Sequence, residues 1–195
     1  WRMRMEYESY FYSCSKEYIE SVEPGLHREI TDVISARPKR QNQADINNDL
    51  FRLFTARGWS LDTLGGTSEE PPPDLHILNF NRTSAIKNRR RELCLSSTID
   101  ASWHADFGKS TPSGLVQIQA QFGKVELMFK DFCGFRLARY ERRLALGIEI
   151  VMSHPNIYFS HRKASKSGMA YFDIARKTLP AISLHCPIWL IGIHE

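Results

Sequence analysis

The chain has 195 residues, 42% of them hydrophobic and 25% charged, with a formal net charge of +4 and a pI near 8.9. That length suits one domain with a sizeable core. The composition excludes a disordered or fibrous chain, and no apolar run is long enough to span a membrane as a helix. The N-terminal stretch lacks the apolar segment of a secretory signal. The four cysteines, Cys14, Cys94, Cys133 and Cys186, form no CxxC pair and have no histidine at zinc spacing. Reduced thiols and a cytoplasmic location are therefore expected, without a zinc site. Trp1 and Arg2, ahead of Met3, are left out of the fold reading. The basic charge gathers in Arg37-Pro38-Lys39-Arg40, in Arg89-Arg90-Arg91 and in His161-Arg162-Lys163. Such clusters suit nucleic acid and equally suit a solvated surface.

Met3 to Tyr12 is aromatic and loosely alternating, which predicts a short strand. Glu23-Pro24 predicts a helix start with proline at its first position, and Leu26, Ile30, Val33 and Ile34 continue it at helical spacing to about Ser35. A loop over 37–43 precedes a second helix from about Asp45 to Arg57, with Ile46, Leu50, Phe51 and Phe54 on one face and Gly58 as its stop. Residues 59–74 read as loop, Leu75 to Phe80 as a strand, and Ser84 to Leu95 as a helix with its arginines outward. Ile99 to Phe107 and Leu115 to Phe122 read as paired strands around a turn over 110–114. Glu126 to Tyr140 reads as a helix apolar around its whole girth, able to meet both a sheet and another subunit. Leu144 to Val151 and Pro187 to Ile193 are near-continuous apolar runs of the buried-strand type. Between them lie a long polar loop over 153–168 and a helix from Met169 to Leu179. The pattern predicts a single α/β domain over 1–195, a mixed central sheet flanked by helices. No repeat or interdomain linker is evident.

The paired strands at about 99–124 carry the chemistry. The first ends on Asp106. The second puts Val116 and Ile118 on one face and Gln117, Gln119 and Gln121 on the other. A solvated strand face more often carries Lys, Glu or Thr, so a line of amides beside an acid reads as the wall of a site. Read alone, Asp106 equally suits a turn residue before Phe107-Gly108.

Asp106-Phe107-Gly108-Lys109, followed by Ile118-Gln119-Ala120-Gln121-Phe122-Gly123-Lys124, resembles the active-site hairpin of the BglII/BstYI group of type II restriction endonucleases. That hairpin is a variant of the PD-(D/E)xK motif: an Asp, then a strand carrying Glu-x-Gln-Phe. Further stretches resemble the same group: Met3 to Ile34, Ala56-Arg57-Gly58-Trp59, Ser167-Gly168 to Phe172, and Pro187 to Ile193. The resemblance thus covers most of the chain. It implies a PD-(D/E)xK nuclease fold and Mg²⁺-dependent hydrolysis of double-stranded DNA at a short palindrome. It also implies a homodimer reading two half-sites, with GATC as a candidate core, and a cognate methyltransferase that shares the site without needing to bind the chain.

The resemblance assigns Asp106, Gln119 and Gln121 as the catalytic set. Asp106, Gln119 and the carbonyl of Ala120 are the metal ligands, and Gln121 takes the water-orienting place. Hard oxygen donors of this kind suit Mg²⁺. A frame two residues earlier, with Gln117 and Gln119 as the pair, is the alternative. In either frame this chain departs from the group, because Gln stands where the motif has Glu. A neutral amide leaves the site one negative charge short, which predicts weak metal binding and slow cleavage. Gln119 then stands either for an engineered replacement of a glutamate or for a natural variant that recruits Asp100, Glu126 or Glu149.

For DNA, Lys124 and Ser167 are the candidates to read base edges, with Arg162, Ser165 and Lys166 nearby. Arg89, Arg90 and Lys109 are candidates for phosphate contacts, which position without specifying. Two other readings remain open. One is a catalytically inactive, sequence-specific DNA-binding protein of the same fold. The other is a repair or methylation-dependent nuclease of the same class.

Overall fold

The computed structural model describes residues 6–38, 40, 43–61, 105–141, 144–154 and 168–194. The expected strand over 75–80 and helix over 84–95 lie outside them. Among the described residues, six strands form one sheet in the order β1-β6-β5-β4-β3-β2. They are β1 (Tyr7–Tyr12), β2 (Ser60–Leu61), β3 (Phe107–Thr111), β4 (Gly114–Ala120), β5 (Leu144–Met152) and β6 (Ile188–Ile193). β4, β5 and β6 run parallel, while β1, β2 and β3 pair antiparallel with their neighbours. Helices α1 (Lys16–Val22), α2 (Leu26–Ala36) and α3 (Gln43–Thr55) cover one face. Helices α4 (Val125–Tyr140) and α5 (Phe172–Ala181) cover the other, each linking two parallel strands. This is the expected mixed sheet flanked by helices, and both faces are dry: every residue of β5 and β6 is buried.

Several boundaries differ from the sequence reading, each for a local reason. Ser15 caps α1 by accepting a hydrogen bond from the Tyr18 amide at 3.2 Å, a short helix that the reading missed. Gly25, at φ +83°, then turns the chain into α2, so Pro24 sits in the turn and not inside the helix. Ser60 and Leu61 are strand, paired with Gly108 and Phe107. Asp106 does not end a strand: it immediately precedes β3, and pairing continues out to Thr111 and Gly114 around Pro112-Ser113.

Lys109 is the clearest departure. It lies on the α1–α3 face of the sheet, with its Nζ 3.0 Å from Glu23 Oε1 and 3.0 Å from Glu29 Oε2. Its ammonium also stands 5.7 Å from the centre of the Trp59 ring. Burial opposes its charge, but the hydrogen bonds to Glu23 and Glu29 outweigh burial and raise its pKa above that of an ordinary lysine. Lys109, expected to contact phosphate, instead ties the residue that ends α1 and the first turn of α2 to the sheet. The cluster at 37–40 is likewise partly spent inside the fold. Arg37 is buried, and Arg40 Nε lies 2.7 Å from the buried carboxylate of Asp49.

α4 packs closely over β5 because residue 147 has no side chain. A Cβ on Gly147 would lie 2.6 Å from Ile188 Cδ1 and 3.0 Å from the Phe135 ring. Both side chains are fully buried, so each would have to shift within a packed core. Gly147→Ala is therefore expected to destabilise the fold by about 1–3 kcal/mol, measured as a lower urea midpoint with an unchanged slope.

Candidate active site

The site forms where β3, β4 and β5 lie side by side on the α4 face. The alternation of β4 sends Val116 and Ile118 into the core against α1–α3, and sends Gln117 and Gln119 to the opposite side. Phe107 pairs with Ile118, which sets the preceding residue, Asp106, opposite Gln119. The Asp106 amide donates to the Ile118 carbonyl at 2.9 Å, and its Oδ2 accepts from the Ala120 amide at 2.9 Å. The carboxylate is thus pinned to the strand opposite it. In an extended strand a residue's N–H and C=O leave on the same edge, so the Ala120 carbonyl also points toward Asp106. In this register Gln119, and not Gln117, stands opposite Asp106.

Gln121 lies one residue past β4 and is buried. Its Nε2 donates to Asp131 Oδ2 at 2.9 Å and its Oε1 accepts from the Gly123 amide at 3.0 Å. The carboxylate and the amide proton together fix which end of the side chain is oxygen. Asp131 escaped the sequence reading. Its signal was a lone acid on the core-facing stripe of α4, in phase with Met128, Phe132 and Phe135.

Of the three acids considered as recruits, Glu126 is exposed in the first turn of α4 and Asp100 lies outside the described residues. Glu149 is different. It is the β5 residue in direct register with Gln119, and it is fully buried. Neither of its carboxylate oxygens has a hydrogen-bond partner among the described residues, nor does Gln119 Oε1. Burial raises the Glu149 pKa well above the ordinary carboxylate range, and the negative charges of Asp131 and Asp106 push it in the same direction. Gln117, deeper on the same face, is also buried with both ends of its amide unpartnered among the described residues.

Lys124 is exposed and immediately precedes α4. It forms an antiparallel bridge with Met169. The flanking amides of Val125 and Ala170 donate to the carbonyls of Gly168 and Gly123 at 2.7 and 2.9 Å. Residues 168–170 are therefore fastened directly beside the end of the hairpin strand. Ser167, Arg162, Arg89 and Arg90 lie outside the described residues. Away from this site, Glu8, His154 and His194 bring ligand-type atoms within 4.8 Å of one another. They stand at the β1–β6 edge of the sheet and are partly exposed.

An Asp held beside the amide-bearing strand of a hairpin, in a mixed sheet with helices on both faces, is the arrangement expected of the restriction-endonuclease-like class of nuclease folds. A family model described as restriction endonuclease BglII/BglIII matches residues 7–193. The chain belongs to this family, and so to the type II restriction endonucleases. Among solved structures it is similar to the restriction endonuclease BglII in complex with a DNA 16-mer. That match has a TM-score of 0.62 and 14% identity, over 98% of this chain and 77% of that one. No curated protein matches the chain.

The buried acid makes a prediction for the metal-free protein. Its pKa is raised on folding, so between the unfolded and folded values the native state holds a proton that the unfolded state has lost. Stability contributed through Glu149 is thus intact below the unfolded value and falls as pH rises toward the folded one, by up to about 1.4 kcal/mol per pH unit. Urea titrations from pH 5 to 8 in EDTA should show this decline, and Glu149→Gln should flatten it.

Proposed function

We propose that the chain is a Mg²⁺-dependent endonuclease that acts as a homodimer, cutting double-stranded DNA within a short palindrome with GATC as its candidate core. The observation that carries this reading is the pinned Asp106 opposite Gln119, in a chain of the BglII/BglIII family. The donors around it are carboxylate, amide and carbonyl oxygens, the set a hard divalent cation takes. A bound Mg²⁺ would neutralise phosphate charge and lower the pKa of a water. Asp106, with Gln119 and the Ala120 carbonyl, would hold it. Gln121, fixed by Asp131, is the candidate to orient the water. Lys124 and Ser167 are the candidates for base edges, with Arg162 beside them, and Arg89 and Arg90 for phosphates. A cytoplasmic location is part of the same proposal. A cognate methyltransferase would protect the same palindrome without binding this chain.

The hairpin itself is one negative charge short of the family motif. With Asp106 as its sole carboxylate, metal would bind weakly and cutting would be slow. Gln119 is thus the observation that favours the second reading, a DNA-binding protein of the same fold that no longer cuts. Digestion of phage DNA separates the two. Discrete fragments that require Mg²⁺ and vanish with EDTA are expected, and the sequenced ends would give the palindrome. DNA retained on the protein without metal-dependent cutting would favour the second reading.

The dimer reading rests on α4. Its core-facing stripe is buried, yet Phe129, Leu137 and Tyr140 are large, exposed and gathered on the opposite side with Cys133. Four such residues along one helix make an apolar strip that a second copy could cover by two-fold symmetry. The double substitution Phe129→Glu and Leu137→Glu is expected to halve the mass measured by light scattering, while the circular dichroism spectrum stays native.

A further inference from the structure

Resting on the endonuclease reading above, we propose that Glu149 supplies the second carboxylate of the metal site, so that the acid missing from β4 is carried by the neighbouring strand β5. The argument begins with charge. An ionised carboxylate buried without a partner costs several kcal/mol, and a fold tolerates one only when something compensates for it. Glu149 is fully buried, with both oxygens unpartnered among the described residues. It interrupts a strand that is otherwise apolar from Leu144 to Met152 except for Gly147. Two further carboxylates, Asp106 and Asp131, act on it with the same sign of charge. Packing alone would place leucine or isoleucine here.

Register supplies the second half of the argument. Glu149 and Gln119 are direct partners in the β4–β5 ladder, and paired residues of adjacent strands project from the same face. Strands lie about 4.8 Å apart, well within the reach of a glutamate side chain. Asp106 stands opposite Gln119 on the other flank. The row across the sheet is therefore Asp106, Gln119, Glu149: carboxylate, amide, carboxylate. The motif that the chain resembles has Asp and Glu on adjacent strands. Here the two negative charges are restored, with the amide between them. The Gln119 Oε1 is an acceptor without a donor among the described residues, beside two more acceptors. Unpartnered oxygens on adjacent positions of one row call for a cation or for a proton. Ordinary protein hydrogen bonding does not answer the need, because no donor side chain is bonded to Glu149 among the described residues.

The test moves the acid between the two strands. Full-length protein is prepared as wild type, Glu149→Gln, Gln119→Glu, and the double Gln119→Glu/Glu149→Gln. Bound Mn²⁺ is followed by electron paramagnetic resonance without DNA, and cleavage of phage DNA is followed separately. Glu149→Gln removes a buried charge while keeping its shape, so it should fold at least as well as wild type. It is expected to weaken Mn²⁺ binding by more than the roughly 10–100-fold that an outer-sphere partner is worth, and to abolish cutting. The double variant, with its acid back on β4, should recover both. Unchanged Mn²⁺ affinity in Glu149→Gln, or no Mn²⁺ bound by wild type, would overturn the inference and leave Glu149 a protonated core acid. A double variant that binds no better than Glu149→Gln would overturn it too. Mn²⁺ binding that falls and recovers while no form cuts DNA would uphold the metal site and defeat the endonuclease reading instead.

Discussion

The parallel pairing of β4 with β5 is the constraint on which the site depends. A slip of one residue would turn Gln117 and Gln119 into the α1–α3 core and Val116 and Ile118 toward α4. What holds the register is burial on both sides: Ile118, Ile148 and Ile150 sink into one core, while the α4 face accepts Gly147 where Phe135 passes over it. The amide of Gln121 continues the ladder by donating to the Ile150 carbonyl at 2.8 Å. A side chain one residue beyond the strand is therefore still placed by the strand. Asp106 is fixed from the other flank by the backbone of Ile118 and Ala120. Polar groups that have no business in a core are held there by the apolar residues between them.

Helix α4 serves two surfaces at once. Its inner stripe carries Asp131, which fixes Gln121, and its outer stripe carries Phe129, Leu137 and Tyr140. The bond between Asp131 and Gln121 links the helix to the site by a single side chain. Any assembly built on the outer stripe would thus act on the same rigid rod that positions the proposed water-orienting amide. At the start of this helix, the bridge from Lys124 to Met169 fastens the residues that lead into α5 to the same frame.

Much of this fold is legible in the sequence, for uneven reasons. Burial makes strands such as β5 and β6 read as continuous apolar runs, and the helices α2 and α3 announce themselves by spacing. The alternation of apolar and polar residues along β4 is enough to put Gln117, Gln119 and Gln121 on one face. Pairing is what a linear pattern does not carry. Lys109 looks like a free cation beside the hairpin, because nothing in its neighbourhood says that Glu23 and Glu29, some 80 residues away in the chain, approach from the opposite face of the sheet. Glu149 is visible as a misfit in an apolar run, but its meaning depends on register with a residue 30 positions earlier, which alternation alone does not supply. Asp131 hides for the same reason: an acid on an apolar helix is notable only once the helix's buried side is known.

The adjacency of positions 119 and 149 has a consequence for how such a chain can change over generations. Two sites that share one spot in space but lie on different strands allow an acid to change its address without changing its neighbourhood. If the loss at 119 comes first, the lineage passes through a form with one carboxylate. If the gain at 149 comes first, it passes through a form with two buried acids side by side beside Asp106, crowded but charged. If Glu149 is a metal ligand, the second route would keep a cation bound throughout, at the expense of fold stability. Among descendants of such a lineage the two columns would vary as a pair. A search for Glu-x-Gln on one strand would score a working member as a dead one.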